Sequence, residues 1–411
     1  MGSFLFASVY FIAIYFLARL EQKLKNRWIV TVSLILAILP LIFVKYSIFV
    51  INNINALMRL HIPIPSIIVP MGISFFTFEA VSLLVDVFKG KVKDISLLHT
   101  YLYLSFVPTV TSGPIIRYSE FISGLEEPLF EADSYLNAVE RIILGLGKKV
   151  LIANKIAILA NYYFDGVAID NNYSTIGLWI GSIAYTIQLY FDFSGYSDMA
   201  IGIGKLMGFT LRENFDKPYQ ASSISDFWKR WHISLTQWLR DYIYIPLGGN
   251  RCRISRHIFN MFVIWILTGI WHGADWSFVI WGLGYFVLLT IEKYVPIFNK
   301  ISSSIIGHIY TLFFVNLLWI PFRAKNLSVT CRFLKGMFFG GTGIVEDKAI
   351  RFLPFLVMAI SLCLPWNRWL TRFDKNHYFK MIKMMLLIII FILALCAVVN
   401  SSYAPYIYGN F

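Results

Sequence analysis

Hydrophobic residues fall in long runs separated by short polar breaks. The runs lie near 4–20, 28–50, 63–86, 98–116, 139–164, 174–193, 258–291, 304–322, 350–366 and 381–399. A helix rises about 1.5 Å per residue and the hydrocarbon core of a bilayer is about 30 Å thick, so ~20 apolar residues cross it. The pattern predicts an all-α, polytopic integral membrane protein with roughly nine to twelve transmembrane helices. Short re-entrant or interfacial helices are expected between them. No hydrophilic stretch is long enough for a separate soluble domain, so residues 1–411 read as one transmembrane domain.

Two polar interruptions stand out. The first is TGIWHGADW (268–276), entered by apolar residues 259–271 and left by 276–291. As helices these flanks would measure roughly 20–24 Å, too short to cross. The break from Trp271 to Trp276 is therefore expected at membrane depth, where non-helical backbone needs cover from protein or a water-filled cavity. An ionisable residue there, His272, is a candidate functional group. Its neighbours Trp271 and Trp276 fit an interfacial aromatic belt equally well.

The second is the hinge 211–257. Ser223 and Asp226 have the spacing of a capping box. The helix that follows is expected to place Trp228, Trp231, Leu235, Trp238 and Tyr242 on one stripe, and Lys229, Thr236, Gln237 and Arg240 on another. His232 shares the apolar side, where a structural histidine is the plainer reading. The turn at 246–250 (PLGGN) lets the chain double back, so His232 and His272 can approach across 40 positions.

Composition agrees with the pattern. Hydrophobic residues make up 58% and charged residues 14%, against about 25% charged in soluble proteins. No positive charge precedes the first run and several follow it, so it is not expected to be a cleavable signal. Arg19, Lys23, Lys25 and Arg27 follow that run, and Lys89, Lys91 and Lys93 follow the next out-and-back excursion. Positive-inside bias puts both loops in the cytosol and the N-terminus outside. Lys380 and Lys383 precede the last span, leaving the uncharged tail 401–411 outside and requiring an even number of crossings. The net charge of +13 also suits anionic lipid or a phosphate-rich cytosolic substrate. Divided among short loops, it argues against nucleic acid.

Histidine is the side chain whose ordinary pKa suits proton abstraction from a hydroxyl near neutrality. His61, His99, His257, His308 and His377 lie at segment ends or in loops and read as surface or interface residues. In 191–209 (FDFSGYSDMAIGIGKLMGF), Asp192 and Asp198 beside Tyr196 either pair with Lys205 or a nearby arginine, or line a polar cavity. Gly202, Gly204 and Gly208 follow no strand, so close helix packing is expected rather than a dinucleotide site. Cys252, Cys331, Cys363 and Cys396 are scattered, with no metal-ligand spacing and no disulfide expected.

Four stretches carry a resemblance: SFVPTVTSGPIIRYSEF (105–121), 191–209, NFDKPYQASSISDFWKRWHISLTQWLRDYIYIPLGGNR (214–251) and TGIWHGADW, with the aromatic tail YAPYIYGNF in support. The chain resembles the membrane-bound O-acyltransferase family, above all its bacterial branch that acetylates exported polysaccharides such as alginate or peptidoglycan. The likeness is strongest across 105–290. It implies a many-helix fold enclosing a tunnel, in the bacterial plasma membrane, with His272 at the catalytic position and His232 at its partner position. Trp231, Trp271, Tyr196, Asp198 and Asp275 are the candidate substrate or tunnel residues.

The resemblance further implies acetyl-coenzyme A as donor substrate, with no bound cofactor. An exported polysaccharide would be the acceptor, reached directly or through an extracytoplasmic hydrolase-like partner. His272 would act as general base or transient acyl carrier. Lys229, Arg230, Arg240, Arg251 and Arg253 surround the expected cytosolic mouth and suit coenzyme A phosphates; positive-inside bias accounts for them as well. D-alanyl transfer to teichoic acid is the nearest alternative within the family, and YIYIPLGGNR fits the acetylating branch better. Outside it stand a transporter of an acylated carrier or lipid-linked sugar, which the lack of internal repeats weakens, and a non-catalytic scaffold.

Overall fold

The computed structural model describes residues 2–130, 132–169, 173–298, 304–341, 345–366 and 376–400. Among them the chain is helical, and its one isolated β-bridge joins Phe215 to Trp231. Helices α1 (Gly2–Leu24), α2 (Arg27–Met58), α3 (Ile73–Phe88), α4 (Leu97–Leu104) and α5 (Tyr118–Glu126) open the fold. Helix α6 (Ala132–Gly147) passes through a π-helical turn, Lys148–Ala153, into α7 (Asn154–Ile169), and α8 (Thr175–Leu206) packs along both. The hinge supplies α9 (Ile224–Arg230) and α10 (Ile233–Leu239). Then come α11 (Ile254–His272), α12 (Trp276–Tyr294), α13 (Ile305–Arg323), α14 (Leu327–Phe339), α15 (Asp347–Leu362) and α16 (His377–Asn400).

Six of these, α1, α2, α11, α12, α13 and α16, are long and apolar enough to cross a membrane. Other apolar runs form shorter helices, such as the 16-residue α3, or carry ionisable groups, as α8 does. The tail 401–411, expected outside, lies beyond the described residues.

The expectation that the two flanks of the 268–276 break are too short is corrected. Helices α11 and α12 have 19 residues each, about 28 Å of helix. Counting apolar residues missed the polar ends: Ser255, Arg256 and His257 are helical in α11, as are Glu292 and Lys293 in α12. The two helices touch closely. A Cβ on Gly269 would stand 2.5 Å from the Phe278 carbonyl oxygen, and one on Gly282 would stand 2.3 Å from that of Trp265. Only glycine allows this approach.

The hinge is corrected too. A continuous helix through 224–242 is interrupted at His232, whose φ of +45° is left-handed, a region costly for a residue with a Cβ. Tertiary bonds impose it: Trp231 bridges to Phe215, and the Ile233 N–H donates to the Asn214 carbonyl at 3.0 Å. The expected aromatic stripe is split. Trp228 packs on Trp265 (4.7 Å between ring centroids) and Trp238 on Phe78 (4.2 Å). The capping expectation for α9 holds in part, since Ser223 Oγ accepts from the Asp226 N–H at 3.0 Å.

Buried apolar side chains form two cores. One gathers residues of α7, α8, α9 and α12–α15, including Trp281, Trp319 and Phe322. The other gathers α1–α5 and α10, and includes Trp271. The chain from Trp271 to Trp281 therefore passes from one core to the other, with His272 at the seam.

The carboxylates of α8 tie helices together. Asp192 meets Lys149 at 2.5 Å, both buried, and Asp198 meets Lys148 at 2.6 Å and Arg141 at 2.9 Å. These cations come from α6 and the π turn rather than from Lys205. Close α6–α8 contact is possible because Gly202 lacks a side chain; a Cβ there would lie 2.8 Å from the Ala138 carbonyl oxygen.

Basic loops distant in sequence share one face. The Gln22 amide at the end of α1 donates to the Lys93 carbonyl. In the same neighbourhood the Tyr242 hydroxyl donates to Asp86 at 2.6 Å, and the Lys89 ammonium stands over the Tyr242 ring. Arg251 and Arg253 lie just before α11 and Arg256 in its first turn.

Candidate active site

Trp271 holds the two histidines in one place. Its ring centroid lies 4.7 Å from that of His272 and 6.4 Å from that of His232. Both imidazoles are buried, at 2% and 1% exposure. The turn in the hinge and the doubling back at 246–250 thus achieve the approach their spacing allowed.

Asn214 positions His232. The carboxamide nitrogen of Asn214 donates to Ser197 Oγ at 3.2 Å, which directs its Oδ1 toward the hinge. That oxygen lies 3.1 Å from His232 Nδ1 and accepts from the Ser234 N–H (3.2 Å) and Ser234 Oγ (2.9 Å). An amide oxygen only accepts, so Nδ1 of His232 carries the proton and Nε2 the lone pair. Phe193 stands edge-on to the same ring at 4.8 Å.

His272 ends α11 among rings: Trp281 at 4.9 Å and Phe322 at 5.0 Å, both edge-on, besides Trp271. Aromatic pairs at such separations contribute ~0.5–1.5 kcal/mol each beyond area burial. The ring is therefore held by packing against three neighbours from two cores.

A cavity of about 350 Å³ approaches this pair from the basic face, a size ordinary for small-molecule sites. Its wall on α11 is formed by His257, Met261, Ile264, Trp265 and Thr268, one helical face roughly 16 Å long. Trp228, Leu235 and Leu239 form another wall, and Arg240, Asn250 and Lys293 belong to its polar end. The inner end stops at Thr268, one turn before His272, and at Leu235, one turn after His232. Arg240 opens a second π-helical turn, Arg240–Tyr244, a device frequent at functional sites. Burial raises the Tyr244 phenol above its ordinary pKa, and its oxygen lies 2.7 Å from His257 Nε2.

The remaining residues singled out in the sequence scatter in role. Trp231 is buried between Phe227 (5.5 Å) and Trp319 (5.0 Å), in the wall behind His232. Asp275 caps α12, accepting from the Ser277 N–H at 2.8 Å. Tyr196 bonds the Thr111 hydroxyl, and Asp198 lies in the ion-pair network with Arg141 and Lys148. Of the five basic candidates, Arg240 lines the cavity. Arg230 is bound to Asp226 at 2.9 Å, while Lys229, Arg251 and Arg253 are exposed.

His257, expected at the surface, is buried with its other nitrogen 2.5 Å from the Tyr294 hydroxyl. Sequence reading also missed Asn214, Lys293 and Lys45. Lys45 was discoverable: it is the lone charged residue in the apolar run 28–58, and charge inside a span is a functional signal.

The chain is similar to several known proteins. Residues 70–332 match the model of the membrane-bound O-acyltransferase family. A probable alginate O-acetylase of Pseudomonas putida is 33% identical, covering 96% of this chain and 86% of its own length. A peptidoglycan O-acetyltransferase of Helicobacter pylori is 32% identical, covering 100% of this chain and 87% of its own length. A teichoic acid D-alanyltransferase of Bacillus subtilis is also 32% identical, over 68% of this chain and 72% of its own.

Proposed function

The chain belongs to the membrane-bound O-acyltransferase family, and we propose that it passes an acetyl group from cytosolic acetyl-coenzyme A towards hydroxyls of an exported cell-envelope polysaccharide. One observation carries this reading: a cavity beginning among basic side chains and ending one helical turn from two buried histidines that share the Trp271 ring. Positive-inside bias makes that basic face cytosolic. Arg240 and Lys293 there suit the donor's phosphates, and the aromatic walls suit its thin thioester arm.

Transfer breaks the acyl C–S bond and forms a C–O bond, and the thiol leaves on the cytosolic side. The proton of the attacking hydroxyl goes to His272, as general base, and from it to the departing sulfur. His232, with its tautomer set by Asn214, orients the reacting groups through its lone-pair nitrogen. The acceptor hydroxyl belongs to the polysaccharide itself or to an extracytoplasmic hydrolase-like partner that completes the transfer. The relatives named for alginate and peptidoglycan acetylation support the acetyl group and the polysaccharide acceptor.

The test is transfer of labelled acetyl from acetyl-coenzyme A by purified protein, wild type against His272→Ala. Loss of about 10²–10⁴-fold in turnover is expected, with an unchanged melting temperature in detergent. Unchanged turnover in a folded variant removes His272 from the mechanism. The relative named for D-alanyl transfer favours a second reading, D-alanyl delivery to teichoic acid, over a smaller share of the chain; label supplied as D-alanyl thioester distinguishes the two.

A further inference from the structure

Helix α2 crosses the outside of the His272 break and bonds it on both sides. The Lys45 ammonium donates to the Trp271 carbonyl, and the Tyr46 hydroxyl to the Ile270 carbonyl at 2.8 Å. One turn on, Phe49 packs on Trp276 at 5.7 Å, and one further turn on Asn53 accepts from Trp276 Nε1 at 2.9 Å. Positions 45, 46, 49 and 53 form one face of α2, and that face grips residues before and after His272.

The break needs such help. The last carbonyls of a helix have no partners within it, and here the closing backbone bond, Gly273 N–H to the Gly269 carbonyl, is long at 3.4 Å. A cation is suited to the negative end of a helix. Lys45 supplies one, and also stands 5.7 Å from the Trp271 ring centroid and 3.5 Å from Ser74 Oγ on α3. A lone lysine inside a 32-residue apolar helix is costly unless it is used. The carbonyl it holds belongs to the residue immediately before the histidine.

We propose that α2 is a splint for the reactive histidine, with Lys45 a positioning residue that fixes the end of α11 and so the placement of the His272 ring. The inference rests on the acetyl-transfer reading for its kinetic consequence, though not for its structural one.

The experiment uses the full chain in detergent or nanodiscs, as wild type, Lys45→Met and Lys45→Arg, with Asn53→Ala as a second variant acting from the other side of the break. Two quantities are measured: steady-state acetyl-coenzyme A turnover, and amide hydrogen exchange of peptides covering 268–278. Lys45→Met is expected to lower kcat about 10- to 100-fold, with KM for the donor within about twofold. Exchange across 269–276 speeds up while the rest of the chain stays protected. Lys45→Arg, which still caps a carbonyl, recovers most of both, and Asn53→Ala shows the same pattern more weakly. A Lys45→Met protein with wild-type kcat, or with unchanged exchange across the break, overturns the assignment. So does a loss of kcat that follows only the folded fraction and is not relieved by arginine. Wild-type protein inert towards acetyl-coenzyme A counts against the acetyl-transfer reading alone, and exchange then decides the splint by itself.

Discussion

Two regions of this molecule hold buried or half-buried ionisable side chains, and they do so in opposite ways. In α8, Asp192 and Asp198 are answered by opposite charge from Lys149, Lys148 and Arg141. At the seam between the cores, His232 and His272 are placed by an amide oxygen and by aromatic faces. Opposite charge locks a proton inventory in place and ties helices together. An imidazole held by neutral groups and shape keeps a nitrogen available for proton exchange. Burial alone therefore does not distinguish scaffold from site; the chemistry of the partner does.

The comparison breaks most readily at its charged half. Lys149→Met removes the buried cation that meets Asp192, an expected loss of roughly 3–5 kcal/mol. It should appear as a large fall in detergent melting temperature with activity lost in step; a stable Lys149→Met protein with impaired turnover would transfer that pair to the site. The neutral half is tested by Asn214→Ala, which leaves buried donors of Ser234 and His232 without their shared acceptor. The expected cost is about 1–3 kcal/mol, with a fall in kcat exceeding what the folded fraction explains. A variant whose kcat tracks folding alone would make Asn214 purely structural. The smallest effect is expected at the cavity's polar end. Arg240→Ala should raise KM for acetyl-coenzyme A with kcat nearly unchanged, by an amount worth about 0.5–1 kcal/mol for an exposed charge. That increase should shrink as salt is raised; a change in kcat instead would place Arg240 nearer the reacting atoms.

Much was legible from spacing. TGIWHGADW marks the helix end that carries His272, and the 214–251 stretch contains both His232 and Asn214. What misled was local periodicity. The hinge reads as one amphipathic helix, yet bonds from Asn214 and Phe215, some 16–18 positions upstream in the numbering, force His232 into a left-handed turn. Equally, counting apolar residues shortened α11 and α12, because polar residues at membrane-facing ends remain helical.

By itself the sequence determined the class, the runs that become helices, the basic face and the two motif histidines, since these follow from hydrophobic length, charge bias and local residue order. Tertiary structure decided which cation answers each carboxylate, that the histidines meet at Trp271, that a cavity ends one turn away, and that α2 braces the break. The reason is physical: a helix's inner face is chosen by every neighbour it touches, and contacts such as Lys45 with Trp271, 226 positions apart, have no local signature in the chain.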